Sequence, residues 1–197
     1  MEPEEEPADP ATHTGIAGVL AAGRARVLHG DVLRQTVITI LCGAIFALVL
    51  QFTVQNYVVE GESMLPNVQN GDRVLVDRLA YRLGEPTRGD VVVFRFPFQW
   101  NDMNLIKRVI GLPGDIVEIR PGEVLVNGHA VHEPYIRFPE QYRFGPVRVP
   151  ANEFFVLGDN RWVSYDSHQW GFLPRHDIYG RVMVTYWPVG NFHLYGL

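Results

Sequence analysis

Lysine is almost missing from this chain of 197 residues: of its seventeen Lys and Arg residues, only Lys107 is lysine. Cysteine is equally scarce, and Cys42 alone permits neither an intrachain disulfide framework nor a cysteine-rich zinc site. Serine occurs only at Ser63, Ser164 and Ser167, all in polar, glycine-flanked stretches. The formal net charge of −5 lacks the basic footprint of a general nucleic-acid binder, so no nucleic-acid partner is expected. The seven histidines show no spacing such as H-E-x-x-H, and no metal is expected.

What is present divides along the chain. The opening MEPEEEPADPATHTG is acidic, proline-bearing and poor in apolar residues, which predicts disorder. Residues 15–33 mix apolar and arginine side chains, and a short amphipathic helix ending near Gly30 is predicted. The one long apolar run follows, TVITILCGAIFALVLQFTVQNYVV, in which Thr39 is the only polar side chain between Val37 and Leu50. Its apolar stretch is roughly 19 residues, close to the ~20 a helix needs to cross hydrocarbon. A buried core helix and a cleaved signal peptide are the competing readings. The preceding segment is too long for the basic region of a signal peptide, and no A-x-A-like site follows promptly. Arg24, Arg26 and Arg34 precede the run and Glu60 and Glu62 follow it, so the positive-inside rule puts the N-terminus in the cytoplasm. The expected organisation is a largely disordered cytoplasmic tail over 1–32, a transmembrane signal-anchor helix over 33–56 and an extracytoplasmic β-rich catalytic unit over 57–197.

Beyond Val58 short apolar runs alternate with turn signals. The runs are RVLV (73–76), VVVFRF (91–96), LIKRVI (105–110), IVEI (116–119), VLV (124–126), FFVL (154–157) and RVMVTYW (181–187). Asn70-Gly71, Arg88-Gly89-Asp90, Pro113-Gly114-Asp115 and Pro121-Gly122 punctuate them. Asn127-Gly128 within VLVNGHAV predicts a two-residue hairpin with a type I′ turn. Helical periodicity is confined to Arg78–Leu83. The fold class expected is mainly β, an antiparallel sheet with one N-terminal transmembrane helix.

Three stretches carry chemistry-bearing residues. In EGESMLPNVQNGD (60–72), Ser63 is either a turn serine or a nucleophile awaiting a base. In NLIKRVIGLPGD (104–115), strand alternation puts Lys107 on the same face as Leu105 and Val109. Lys107 either snorkels to water or is desolvated, and a desolvated lysine can lose its proton near neutral pH where arginine cannot. In LGDNRWVSYDSHQWG (157–171), Asp159, Asn160, Arg161, Ser164, Asp166, Ser167 and His168 form either a polar turn or the supports of a base. Ser63, His168 and Asp166 also contain the residue types of a hydrolase triad.

Taken together, GESMLP, KRVIGLPGD and GDNRxxSxDSxxWG resemble type I signal peptidase, the bacterial leader peptidase that removes secretory signal sequences. The resemblance runs from the apolar span to about Pro188 and fits the compact single-anchor members. It implies Ser63 as nucleophile and as an oxyanion donor through its N–H, Lys107 as general base, and Ser164 as the hydroxyl bonded to the lysine amine. Asp159 and Asp166 match acidic residues that pair with arginines, and Arg108 matches one such arginine. Two departures are visible: Gly61 stands where some members carry an oxyanion-stabilising serine, and His168 where many carry arginine. No cofactor is implied. The implied partners are secretory preproteins, whose signal peptides bind as an added strand with small residues at −1 and −3, and the lipid bilayer. Met64, Val68, Leu105 and Ile106 are the expected substrate-binding residues. The aromatic run FRFPFQW (94–100) is either a membrane-interface element or a core strand. The tail bearing Phe192, Leu194 and Tyr195 has no reading, and oligomeric state stays open.

Three other readings were weighed against this one. A self-cleaving repressor with Ser-Lys chemistry needs a DNA-binding helix-turn-helix, which this N-terminal stretch does not supply. A specialised processing peptidase would use the same dyad. A catalytically inactive, membrane-tethered peptide-binding β-domain is the third.

Overall fold

The computed structural model describes residues 14–98 and 103–196. The acidic opening, and Gln99 and Trp100 of the aromatic run, lie outside these residues. The chain divides into two compact units, Met1–Leu50 and Gln51–Leu197.

The first unit is built on helix α1 (Thr14–Thr53). Its Asp31–Thr53 portion is long and apolar enough to cross a membrane, at 1.5 Å per residue about 35 Å. Thr39 donates its hydroxyl proton to the Gln35 carbonyl at 2.9 Å, which satisfies the one polar side chain in the apolar stretch. The helix departs from expectation at both ends. No break occurs near Gly30, and the helix stops at Thr53 rather than Asn56 because Val54–Asn56 open a strand. The side chains of Val54, Gln55, Asn56 and Tyr57 alternate in exposure too weakly for sequence to separate that strand from the apolar run before it.

The second unit is antiparallel throughout its sheets. Its first strands are β1 (Val54–Val58) and β2 (Arg73–Asp77), followed by a single helical turn, α2 (Ala80–Leu83). Next come β3 (Val91–Arg95), β4 (Asn104–Gly111), β5 (Ile116–Arg120), β6 (Glu123–Val126) and β7 (His129–Ala130). The chain ends with β8 (Phe144–Arg148), β9 (Glu153–Leu157), α3 (Ser167–Trp170), β10 (Leu173–Pro174), β11 (Ile178–Trp187) and β12 (His193–Leu194). The larger sheet has the order β1-β2-β11-β3-β4-β9-β10 with β12 on β11, and the smaller has the order β7-β6-β5-β8.

Each short apolar run beyond Val58 lies in a strand, save that Phe96 falls just past β3, and the hairpin turn at Asn127 (φ 53°) and Gly128 (φ 81°) has the expected positive angles. Strands β8 and β10 were not foreseen, since Pro146 and Pro174 interrupt their patterns. Both are edge strands, where a missing N–H costs no ladder bond. Ile110, Val117, Ile119, Val124, Val149, Phe155 and Leu157 pack the two sheets together. At their crossing, a Cβ on Gly111 would lie 2.6 Å from Val117 Cγ2 and 2.9 Å from Phe155 Cβ, so glycine is needed for the close approach. This crossing leaves β4 as an interior strand between β3 and β9, with Lys107 opposite Val92.

Candidate active site

Residues 59–72 connect β1 to β2 and fold into a compact loop. Val59 N–H donates to the Asp72 carbonyl and Gly71 N–H to the Val59 carbonyl, both at 2.8 Å, closing its neck. Gly61 has φ 99°, a conformation that disfavours a side chain, and its N–H donates to Asn70 Oδ1 at 3.0 Å. A serine at position 61 would therefore be strained, which accounts for one of the two departures noted above. Val68 N–H donates to the Met64 carbonyl, so these residues stand on one face of a helical turn. That face is the buried one: Met64 and Val68 pack on Val74, Val76, Val93 and Ile106. Met64 and Val68, expected among the substrate-binding residues, line neither cleft at Ser63. Met64→Ala is accordingly expected to lower stability by about 2–5 kcal/mol. Urea denaturation measures this loss; a pocket wall would instead leave stability intact and raise KM.

Packing the loop's apolar face turns Ser63 towards β4. Lys107 is 2 % exposed, and its Nζ donates to Ser63 Oγ at 2.6 Å. Burial drives the Lys107 pKa down from 10.5 to about 8, against the opposing charges of Asp166 and Asp159. A hydroxyl in contact with an amine that is neutral above about pH 8 can pass it a proton.

The groups around this pair are buried and mostly engaged. Arg108 clamps Asp159 through Nε–Oδ1 at 2.8 Å and Nη2–Oδ2 at 2.7 Å, while its guanidinium lies 3.9 Å above the Tyr135 ring. Asn67 Nδ2 donates to Asp159 Oδ2 and to the Tyr135 carbonyl, each at 2.9 Å, tying the serine loop to this ion pair. Asp166 Oδ2 accepts from Gly158 N–H at 3.0 Å, and Oδ1 meets His168 Nδ1 at 2.5 Å. The expected arginine partner of Asp166 is thus replaced by His168, whose ring stacks on Tyr142 at 4.4 Å. With Nδ1–H given to Asp166, His168 Nε2 is left to accept from Gln169 at 3.0 Å. His168 lines a separate cavity of about 380 Å³ and not the clefts at Ser63, so geometry favours Lys107 over His168 as the partner of the serine.

Ser164 differs from expectation. Its hydroxyl is buried beside Gly158 and has no hydrogen-bond partner among the described residues, so the expected bond to Lys107 is not formed here. The amine is instead turned to Ser63. Asn160 and Arg161, which the sequence left as turn residues or supports of a base, have defined partners. Asn160 N–H donates to the Ser63 carbonyl at 2.9 Å, and its Nδ2 donates to the Glu62 carbonyl at 3.2 Å. Arg161 is buried, donates from Nε to the Gly158 carbonyl at 2.8 Å, and forms ion pairs with Glu133 and Glu140. Asn67 lay inside a polar stretch, which was its only signal; Glu133, Tyr135 and Glu140 had none.

Two clefts meet at Ser63 and Lys107. One, of about 140 Å³, has small or branched apolar walls from Val59, Val74, Val93, Leu105 and Ile106. The other, of about 480 Å³, is walled by Phe96, Met103, Leu105, Val163 and Tyr165. Leu105 lines both clefts and Ile106 the smaller one. The aromatic run splits: Phe94 and Phe96 are buried, whereas Phe98 is exposed. No cluster of three or more His, Cys, Asp or Glu able to hold a metal occurs among the described residues.

Comparison with known proteins matches residues 32–187 to the family described as signal peptidase, peptidase S26. Signal peptidase I of Leptolyngbya laminosa is 44% identical over 156 residues, covering 74% of this chain and 77% of that protein. Signal peptidase I of Bacillus caldolyticus is 39% identical over 155 residues, covering 72% and 84%. The chloroplastic thylakoidal processing peptidase 1 of Arabidopsis thaliana is 38% identical over 140 residues, covering 66% of this chain and 41% of its own length. A match over most of the chain, at this identity, leaves one assignment: the chain belongs to the signal peptidase I family, peptidase S26, and is a serine endopeptidase.

Proposed function

We propose that this enzyme cleaves signal peptides from secretory preproteins with a Ser63–Lys107 dyad, after small residues of the Ala-x-Ala type. The observation that carries the reading is the 2.6 Å contact between a buried lysine amine and a serine hydroxyl. In the reaction, neutral Lys107 takes the Ser63 proton as Oγ attacks the scissile carbonyl. The Ser63 N–H stabilises the oxyanion, with Gly61 contributing no side-chain donor. Lys107 returns the proton to the leaving amine, which departs as the new N-terminus of the mature protein, leaving an ester on Ser63. Lys107 then activates water to hydrolyse that ester. Ser164, which makes no bond to Lys107 here, matches the hydroxyl that holds the lysine amine in the family. Asp159 with Arg108, and Asp166, hold the surrounding backbone. No metal or cofactor takes part.

The cleft of about 140 Å³ suits a small side chain such as alanine, and Leu105 and Ile106 form its walls. The substrate is read as an extended strand beside residues 104–107, the part of β4 that β9 does not pair with, and the Ser63 loop. Helix α1 serves as a signal-anchor with the N-terminus in the cytoplasm and the residues beyond it outside, so the enzyme acts at the outer face of the cytoplasmic membrane. Exposed Phe98 fits the headgroup level. The thylakoidal relative supports a second reading, a more specialised processing peptidase, with the same dyad and a narrower choice of preprotein. An inactive peptide-binding domain has no need for the Ser63–Lys107 contact.

The test is cleavage of a preprotein bearing an Ala-x-Ala site, in detergent, by native and Ser63→Ala protein. Native enzyme is expected to cut after the second alanine and Ser63→Ala to leave the preprotein intact. Because the reactive amine must be neutral, kcat/KM should climb about tenfold per pH unit below its midpoint and level off above about pH 8. A profile that is flat from pH 6 to 10, with chemistry rate-limiting, would remove Lys107 from the base role.

A further inference from the structure

The tail after β11 lies beyond the residues matched by the family and turns back over the serine loop. β12 pairs with β11 through Val184–Leu194 and Thr185–His193, and Tyr195 N–H donates to the Met183 carbonyl at 2.9 Å. Two side chains of the tail then reach the loop. Asn191 Nδ2 donates to Asp72 Oδ1 at 2.8 Å, and Asp72 Oδ2 accepts the Gln69 N–H. Tyr195 Oη donates to the Asn67 carbonyl at 3.0 Å. Thr185 Oγ1 lies 3.1 Å from the same Oη, and since a phenol has one proton, Thr185 must act as the donor there. Between tail and loop lies an open crevice of about 230 Å³, bordered by Pro66, Asn67, Asp72, Asn191 and Phe192. The tail is therefore coupled to the loop by hydrogen bonds at defined points and by packing of Tyr195 against the cluster that holds Met64 and Val68.

We propose that Tyr195 is a positioning residue for Ser63, acting through Asn67. The Asn67 carbonyl is held from one side by Tyr195, and its side chain reaches Asp159, which Arg108 clamps beside Lys107. Thr185, Tyr195, Asn67, Asp159 and Arg108 are thus linked by hydrogen bonds from β11 to the residue next to the base. Fixing Asn67 from both ends fixes the turn that begins at Ser63. The proposal rests on the assignment of Ser63 and Lys107 made above.

Steady-state cleavage of the Ala-x-Ala preprotein by Tyr195→Phe tests it, because the ring stays and only the hydroxyl goes. The expected result is a kcat lower by about 3- to 10-fold, the scale of one neutral hydrogen bond. KM should stay within about twofold and the pH midpoint should not move, since Lys107 is untouched. Thr185→Val should give a smaller loss of the same kind, and the double variant should be no worse than Tyr195→Phe alone. Full kcat in Tyr195→Phe, a rise in KM with kcat unchanged, or losses that multiply in the double variant would each overturn the positioning role while native cleavage leaves the dyad standing. An inactive native enzyme would overturn the dyad assignment, and this proposal with it.

Discussion

Replacing Lys107 by arginine is expected to abolish cleavage, with a fall in kcat/KM of at least ~10⁴-fold. Arginine keeps the charge and hydrogen-bonding capacity but cannot release a proton at any working pH. It would also place a permanent cation in a site that is 2 % exposed, so a second variant is needed to separate lost chemistry from lost folding. Lys107→Met provides it. The native amine titrates at about 8 in the fold and at 10.5 when free, so the folded state binds fewer protons than the unfolded one between these values. Stability should therefore rise with pH from about 8 to 10.5, and below 8 the fold carries the whole cost of the buried ammonium. Methionine removes that cost while keeping most of the apolar length. Lys107→Met is expected to be equally inactive yet more stable by ~1–3 kcal/mol at pH 7. Urea denaturation and preprotein cleavage on the same two samples check both expectations. Cleavage by a folded Arg variant at the native rate would exclude Lys107 as the base.

The second large effect is expected at a residue with no side chain of its own, Gly158. Gly158 lies under the serine loop, where an added Cβ would stand 2.5 Å from the Ser63 carbonyl oxygen and 2.6 Å from Ser164 Cβ. Its backbone cannot yield, because the N–H is held by Asp166 and the carbonyl by Arg161 Nε at 2.8 Å. The loop must move instead, against the bond from Asn160 N–H that fixes the Ser63 carbonyl. Gly158→Ala should thus lose about 10²-fold in kcat and ~1–3 kcal/mol in stability from overpacking. Circular dichroism should report an unchanged sheet content. A Gly158→Ala enzyme with native kcat would mean that the Ser63 loop tolerates displacement and that its hydrogen bonds do not set the geometry of attack.

The sequence was informative wherever local chemistry decides. Apolar runs separated by Gly, Pro and Asn turns marked the strands, and Asn127-Gly128 marked its hairpin, because those residues restrict φ and ψ on their own. The scarcity of lysine and serine drew attention to Ser63, Lys107 and Ser164 before any fold was known. Edge strands were less legible: β8 and β10 contain prolines that a central strand would exclude, and only their place in the sheet makes them strands. The boundary between α1 and β1 was also hidden, since pairing with β2 stops the helix and Val54 is as apolar as its predecessors.

What only the tertiary structure decided was which faces of the motifs point where. Met64 and Val68 read from sequence as pocket walls, and the structure packs them against Val74, Val76, Val93 and Ile106 beneath the loop. Likewise, Lys107 beside apolar neighbours can snorkel from a strand; it is buried because the Ser63 loop lies against its amine and Asp159 and Asp166 stand near it. Ser63 and Lys107 are 44 residues apart, and Asn67 and Asp159 are 92 apart. No local pattern specifies such pairs, because the folding of one loop onto one interior strand brings them together. The chemical inventory was therefore written in the residues themselves, whereas its activation by burial and contact arose from long-range packing.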